Sequence, residues 1–169
     1  MIPADHHLVL VGLMGTGKSS TGRLLAERLG RTFRDSDAEI EARTGRTVRE
    51  IFADDGEPAF RALEAEVLVA ALDSQPPAVI AAAGGVVLSE ANRAALRDAK
   101  AKVVWLRADP AILVERVKSG KHRPALDGDP AAVLQAMHEA REPLYREVAD
   151  MIVTVDGRSV HDVVDAVLR

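Results

Sequence analysis

The stretch Leu8-Val9-Leu10-Val11-Gly12-Leu13-Met14-Gly15-Thr16-Gly17-Lys18-Ser19-Ser20 decides the fold. Four consecutive aliphatic residues read as a strand buried on both faces, the kind found inside a parallel sheet. Gly12 to Ser19 then satisfies G-x-x-x-x-G-K-[ST] in full. The glycines let the chain turn so that successive backbone N–H groups point into one concavity, an anion nest. The helix that opens at Lys18 adds the positive end of its dipole. Lys18 brings a full charge to the β- and γ-phosphates of a nucleotide, and the Ser19 hydroxyl suits a Mg²⁺ ion. The expected contacts to ATP from this stretch are Gly12, Gly15, Thr16, Gly17, Lys18, Ser19 and Ser20.

Outward from this turn, short apolar runs alternate with longer amphipathic ones, the pattern of an α/β protein with a parallel sheet. Strands are expected at Leu8–Val11, Thr32–Asp35, Ala78–Ala82, Lys102–Leu106 and Met151–Val155. Helices are expected at Lys18–Leu29, from Asp37 as cap through Arg43, over Val48–Leu72 with a break near Gly56 and Pro58, and at Glu90–Ala99. A further helix is capped by Asp109 with Pro110 at its first position, and others run over Pro130–Val148 and Ser159–Leu168. Ser119–Asp129 reads as a polar, basic loop. The fold class is therefore a three-layer α/β/α arrangement around a five-stranded parallel sheet.

Composition narrows the partners. The 169 residues are 47% hydrophobic, 28% charged and only 3% aromatic, so the core must be built from Ala, Val, Leu and Ile. A net charge of −4 argues against a nucleic-acid surface, although it leaves room for a local basic pocket. The absence of cysteine excludes disulfides and thiolate metal sites and fits the cytoplasm. No apolar run reaches the roughly 18 residues of a membrane span, and the polar start Met1–His7 is too short for a signal peptide.

A phosphate loop implies a nucleotide and leaves the reaction open. A GTPase needs an N-K-x-D segment, but the single asparagine, Asn92, is followed by Arg93. Motor and helicase ATPases need a longer chain. A small phosphotransferase remains. On its acceptor side, Asp35 and Asp37 are spaced i, i+2, which in extended chain points both carboxylates to one face. One can serve a metal and the other can take a proton from a hydroxyl, or Asp37 simply caps the next helix. Arg61 and Glu64 sit three apart on a helix, as a surface pair or as a guanidinium held for a substrate anion. Gly84 and Gly85 follow the third strand and allow close approach of backbone to a ligand. Lys118, Lys121, His122 and Arg123 form a basic run that is either a solvated loop or a lid over phosphates, with Gly120 and Gly128 as hinges.

These segments together resemble the shikimate kinases, of the nucleoside-monophosphate-kinase-like phosphate-loop group. The carriers are Gly12–Ser19, Phe33–Asp37, Ile51-Phe52 with Gly56–Arg61 and Glu64, Gly84-Gly85, Arg123-Pro124 and Arg141–Tyr145, in matching order over Leu8 to Leu168. The resemblance implies one kinase domain over 1–169, with an acceptor-binding helical region at about 37–64 and a lid at about 115–129. It implies transfer of the ATP γ-phosphate to the 3-hydroxyl of shikimate, on the way to chorismate and the aromatic amino acids. Lys18, Asp37 and Arg123 would be the catalytic groups, with Asp37 as candidate base and Arg123 on the transferred phosphate. Arg61 and Arg141 would hold the shikimate carboxylate, Gly84 and Gly85 the ring substituents, and Phe52 and Phe60 the apolar side of the ring. Asp35 would support Mg²⁺ beside Ser19, and Arg116 and Arg158 would lie near the adenine. The implied partners are ATP and shikimate only, and the chain is expected to be a monomer. The alternative is a kinase for a related carboxylated polyol, such as an aminoshikimate or a gluconate. Three positions depart from the family pattern: Ala83 stands for the first of three glycines, Ala125 for the leucine after Arg123-Pro124, and Val160 for a proline near the adenine side.

Overall fold

The computed structural model describes residues 1–118 and 128–169. Five parallel strands lie in the order β2-β3-β1-β4-β5: β1 His7–Val11, β2 Phe33–Asp35, β3 Val79–Ala81, β4 Ala101–Arg107 and β5 Met151–Thr154. The helices are α1 Lys18–Leu29, α2 Ser36–Thr44, α3 Val48–Asp55, α4 Glu57–Asp73, α5 Glu90–Asp98, α6 Pro110–Lys118, α7 Pro130–Val148 and α8 Val160–Leu168. The expected α/β/α layering and five-stranded sheet are present, and most element ends fall within two residues of their expected positions. Strands β2 and β3 are shorter than read, and a 3-10 turn at Val86–Leu88 was not foreseen. Lys121, His122, Arg123 and Ala125, and with them most of the expected lid, lie outside the described residues.

Strand β1 is central because every residue of it is apolar or paired. Leu8, Val9, Leu10 and Val11 have no exposed surface, since β3 flanks one edge, β4 the other, and helices cover both faces. The aliphatic composition is thus spent on the main core, which draws in Trp105 and Tyr145 as its large aromatic pair, stacked at 5.6 Å. A second, smaller core joins α2, α3 and α4 through Ile40, Ile51, Phe60 and Val67, with Phe52 packed against it. The Phe52 and Phe60 rings meet at 4.8 Å. Two of the three phenylalanines therefore belong to this annex, while Phe33 packs against the main core.

One glycine sets the spacing between α1 and β2. A Cβ on Gly22 would lie 2.5 Å from the Phe33 ring, so only glycine lets the helix settle on that strand. At the opposite end of the sheet from the phosphate loop, His7 is buried at the start of β1. Its Nδ1 accepts the Ala78 backbone N–H at 3.0 Å, joining the entry of β1 to that of β3. Its Nε2 is buried without a hydrogen bond.

Burial holds the His7 imidazole below its ordinary value of 6.5, and the nearby Arg31 and Arg34 charges push the same way. The unfolded chain therefore binds the proton more readily. Stability from neutral His7 is fully present above pH 6.5 and is lost as pH falls through the lowered folded value. Thermal melts of the wild type should show this acid loss, and His7→Asn should flatten that part of the pH dependence. An unchanged slope in the variant would count against it.

Candidate active site

The phosphate loop hangs from the carboxyl end of β1, between β3 and β4. Gly12 has φ +146°, and a Cβ there would lie 2.5 Å from the Leu106 carbonyl of β4. The loop is thus pressed onto the neighbouring strand's backbone, which no side chain tolerates. Gly17, at φ +87°, turns the chain into α1 without any side-chain cap, so the first N–H groups of the helix are left to a ligand. Lys18 Nζ donates to the carbonyls of Gly12 and Leu13 at 2.7 and 2.9 Å, which folds its ammonium back across the nest. Buried Thr16 donates to Leu13 O at 2.8 Å and Arg116 to Gly15 O at 3.0 Å. Ser19 Oγ donates to Asp35 at 2.5 Å.

The acidic pair differs from the sequence reading. Strand β2 ends at Asp35, which keeps extended backbone (φ −113°, ψ 119°) and caps α2 by accepting the Ala38 N–H. Asp37 falls in the first helical turn and is not the cap. The i, i+2 alternation of a strand therefore does not relate the two carboxylates. They share one cleft because the helix turns Asp37 toward the space that Asp35 reaches from the strand end.

That cleft measures about 240 Å³. Gly15, Gly17, Lys18, Ser19 and Ser20 line one end with Asp35, while Asp37, Phe52, Phe60, Arg61, Gly84, Gly85 and Arg141 line the other. Four separate elements converge there: α2, the α3–α4 hairpin, the segment after β3, and α7. Gly12 and Thr16 shape the loop from behind and are not on the wall. Arg116 stands at the loop through its bond to Gly15. Arg158 is exposed in the β5–α8 turn and is not part of the cleft wall. Among the described residues, Lys18, Arg61 and Arg141 stand in the cleft with Arg116 beside it.

Electrostatics set the acceptor end. Glu64 is 1% exposed and chelates Arg61 Nη1 at 3.0 and 3.1 Å. Burial pushes the Glu64 carboxyl up; Arg61 opposes that shift, nearby Asp37 adds to it and Arg141 lowers it. Arg61 also rests near the Phe60 ring, 5.4 Å from its centroid. Its guanidinium occupies the space beside Gly85, where a Cβ would lie 2.1 Å from Nη1. A Cβ on Gly84 would lie 3.4 Å from Gly12 O and 3.7 Å from Arg141 Nη1, ordinary contact distances that place this glycine beside both the phosphate loop and Arg141. Met14, Val48, Ala81, Ala82 and Ala83 also line the cleft, and sequence reading did not single out the first four. They are ordinary apolar residues, and only their meeting at one wall distinguishes them.

A family model described as shikimate kinase matches residues 14–169. The chain belongs to the shikimate kinase family. Similar shikimate kinases include that of Symbiobacterium thermophilum, 50% identical over 96% of this chain and 94% of that protein. Another is that of Pseudomonas entomophila, 47% identical over 96% and 94%. The solved structure of the shikimate kinase from Acinetobacter baumannii in complex with shikimate superposes with a TM-score of 0.92 at 37% identity, covering 96% of this chain and 90% of that one. As a member of the shikimate kinase family, the chain is an ATP-dependent kinase, a transferase with a phosphate-loop nucleotide site.

For a shikimate kinase the narrowest tolerance lies at Gly85. Its backbone (φ −87°) suits any residue, so alanine strains nothing locally and acts only by displacing Arg61. Gly85→Ala is expected to raise the KM for shikimate several-fold while the KM for ATP stays unchanged. Steady-state kinetics with each substrate varied in turn will read this, and equal effects on both would contradict the geometry.

Proposed function

We propose that this chain transfers the γ-phosphate of ATP to the 3-hydroxyl of shikimate, giving shikimate 3-phosphate and ADP on the route to chorismate and the aromatic amino acids. The observation that carries the reading is the single cleft that joins Lys18 and the phosphate loop to Asp37, Arg61 and Arg141. Shikimate is a small anion with neighbouring hydroxyls. It needs cations at one end and a carboxylate at the other, which is the charge pattern of this wall.

Phosphoryl transfer asks for positioning and charge neutralisation more than covalent chemistry. Arg61 and Arg141 would clamp the shikimate carboxylate through their planar forks. Glu64 keeps Arg61 oriented, so the guanidinium loses little freedom on binding. Asp37 would accept a hydrogen bond from the reacting hydroxyl and take its proton as the oxygen attacks phosphorus. Lys18 would exchange its two loop carbonyls for phosphate oxygens, and Arg116 would stand on the nucleotide side. Phe52 and Phe60 would wall the apolar side of the ring.

Family membership implies a divalent metal. The Ser19 hydroxyl and Asp35 carboxylate meet at the phosphate end of the cleft, and these hard oxygen donors fit Mg²⁺. Ser19 and Asp35 would hold the ion, whose charge offsets that of the triphosphate. Mg²⁺ keeps water and phosphate ligands, so it needs no cluster of three acidic or histidine side chains, and none occurs among the described residues. No helix among the described residues is long and apolar enough to cross a membrane.

Purified protein with MgATP should release ADP only when shikimate is added. Lys18→Ala should abolish turnover. Arg141→Ala should raise the KM for shikimate by about tenfold to a hundredfold, the cost of one charged hydrogen bond, with the KM for ATP unchanged. Arg61→Ala should do the same and also lower thermal stability, because it strands buried Glu64. Folded protein without shikimate-dependent ADP release would sink the proposal.

A further inference from the structure

Tyr145 is the chain's only tyrosine and Trp105 its only tryptophan. Tyr145 lies on the buried face of α7, one turn beyond Arg141, and is 1% exposed. Its ring stacks on Trp105 at 5.6 Å, and its hydroxyl donates to the Gly84 carbonyl at 2.5 Å. It does not line the cleft. The phenol has one proton and spare lone pairs, whereas a guanidinium can only donate. With its proton committed to Gly84, the same oxygen keeps lone pairs for a donor. Burial pushes the phenol up to about 12, while the charge of Arg141 and a hydrogen bond from it act against that shift. The hydroxyl thus holds the Gly84 carbonyl, and the head of Arg141 lies beside the same glycine, its Nη1 3.7 Å from where a Gly84 Cβ would sit.

We propose that Tyr145 is a positioning residue for the acceptor, holding the Gly84–Gly85 peptide and the Arg141 guanidinium in one fixed relation without touching shikimate. The mechanism rests on peptide planarity. The Gly84–Gly85 bond is trans, so pinning the Gly84 carbonyl fixes the direction of the Gly85 N–H on the opposite side. Two adjacent glycines have no side chains to restrain them and need such an anchor. The stack on Trp105 and complete burial immobilise the ring, so the anchor itself costs little further entropy on binding. The phosphate loop is held by its own bonds, from Thr16, Lys18 and Arg116, and does not rely on this hydroxyl.

The proposal rests on the shikimate reading of the cleft, and the test separates the two. Tyr145→Phe keeps the ring and its stack and removes only the hydroxyl. Its KM for shikimate should rise about tenfold with the KM for ATP unchanged, as one lost buried hydrogen bond and a loosened Arg141 require. Trp105→Phe, which leaves the hydroxyl bond in place, should keep a shikimate KM close to wild type. A Tyr145→Phe enzyme that melts earlier yet keeps both KM values would show a purely structural role and overturn the proposal. A second measurement needs no variant. Wild-type protein carrying ¹³Cζ-labelled tyrosine gives one NMR signal, from Tyr145, which should shift with shikimate and stay put with ADP alone. A signal indifferent to shikimate in an enzyme that turns shikimate over overturns the proposal while leaving the function intact. Absence of shikimate turnover in the wild type overturns the function and the proposal with it.

Discussion

The closeness of Gly12 to the Leu106 carbonyl is the constraint on which the rest of the molecule depends. It sets the phosphate loop against the backbone of β4 at the end of a fully buried strand, so the loop cannot drift without disturbing the core. Everything around the cleft is registered to that contact. Gly84 runs beside the same loop, where a Cβ on it would meet the Gly12 carbonyl at 3.4 Å, so the acceptor segment lies alongside the nucleotide segment. The donor and acceptor halves of a phosphoryl-transfer site are thereby held at a distance that parallel strands dictate.

The electrostatic design is local. A chain of net charge −4 carries its useful cations in one concavity, and the anions nearest to them have assigned partners. Glu64 is the costly member, since its burial disfavours the ionised form that Arg61 needs. The raised carboxyl binds protons more tightly in the folded chain. That contribution to stability is fully present below the ordinary value of 4.5 and fades as pH rises through the folded value, opposite in sign to the contribution of His7. The arrangement makes sense as positioning: a guanidinium gripped by an inaccessible carboxylate presents its remaining N–H groups in one direction.

Much of this was legible in the order of residues. The aliphatic run and glycine-lysine turn specify a strand, a nest and a helix through short-range geometry alone, and Asp109-Pro110 marks a helix start for equally local reasons. The family resemblance set Phe52 and Phe60 on the apolar side of the acceptor, and both line the cleft. The reading of Asp35 and Asp37 as a pair related by extended chain failed because Asp35 caps a helix that starts at Ser36, so Asp37 is helical. Arg158 lies exposed in the β5–α8 turn and off the cleft wall, since a basic residue beside a turn says nothing about which way the turn faces.

The sequence by itself determined the phosphate loop, the alternating elements and the candidate charges, because hydrogen-bond geometry, glycine freedom and hydrophobic period act over a few residues. Only the tertiary structure decided which charges meet. Arg61, Asp37, Gly85 and Arg141 come from four elements, and their meeting follows from strand order and helix packing. The same holds for the Tyr145 hydroxyl on the Gly84 carbonyl, a contact across 61 positions that no local rule encodes.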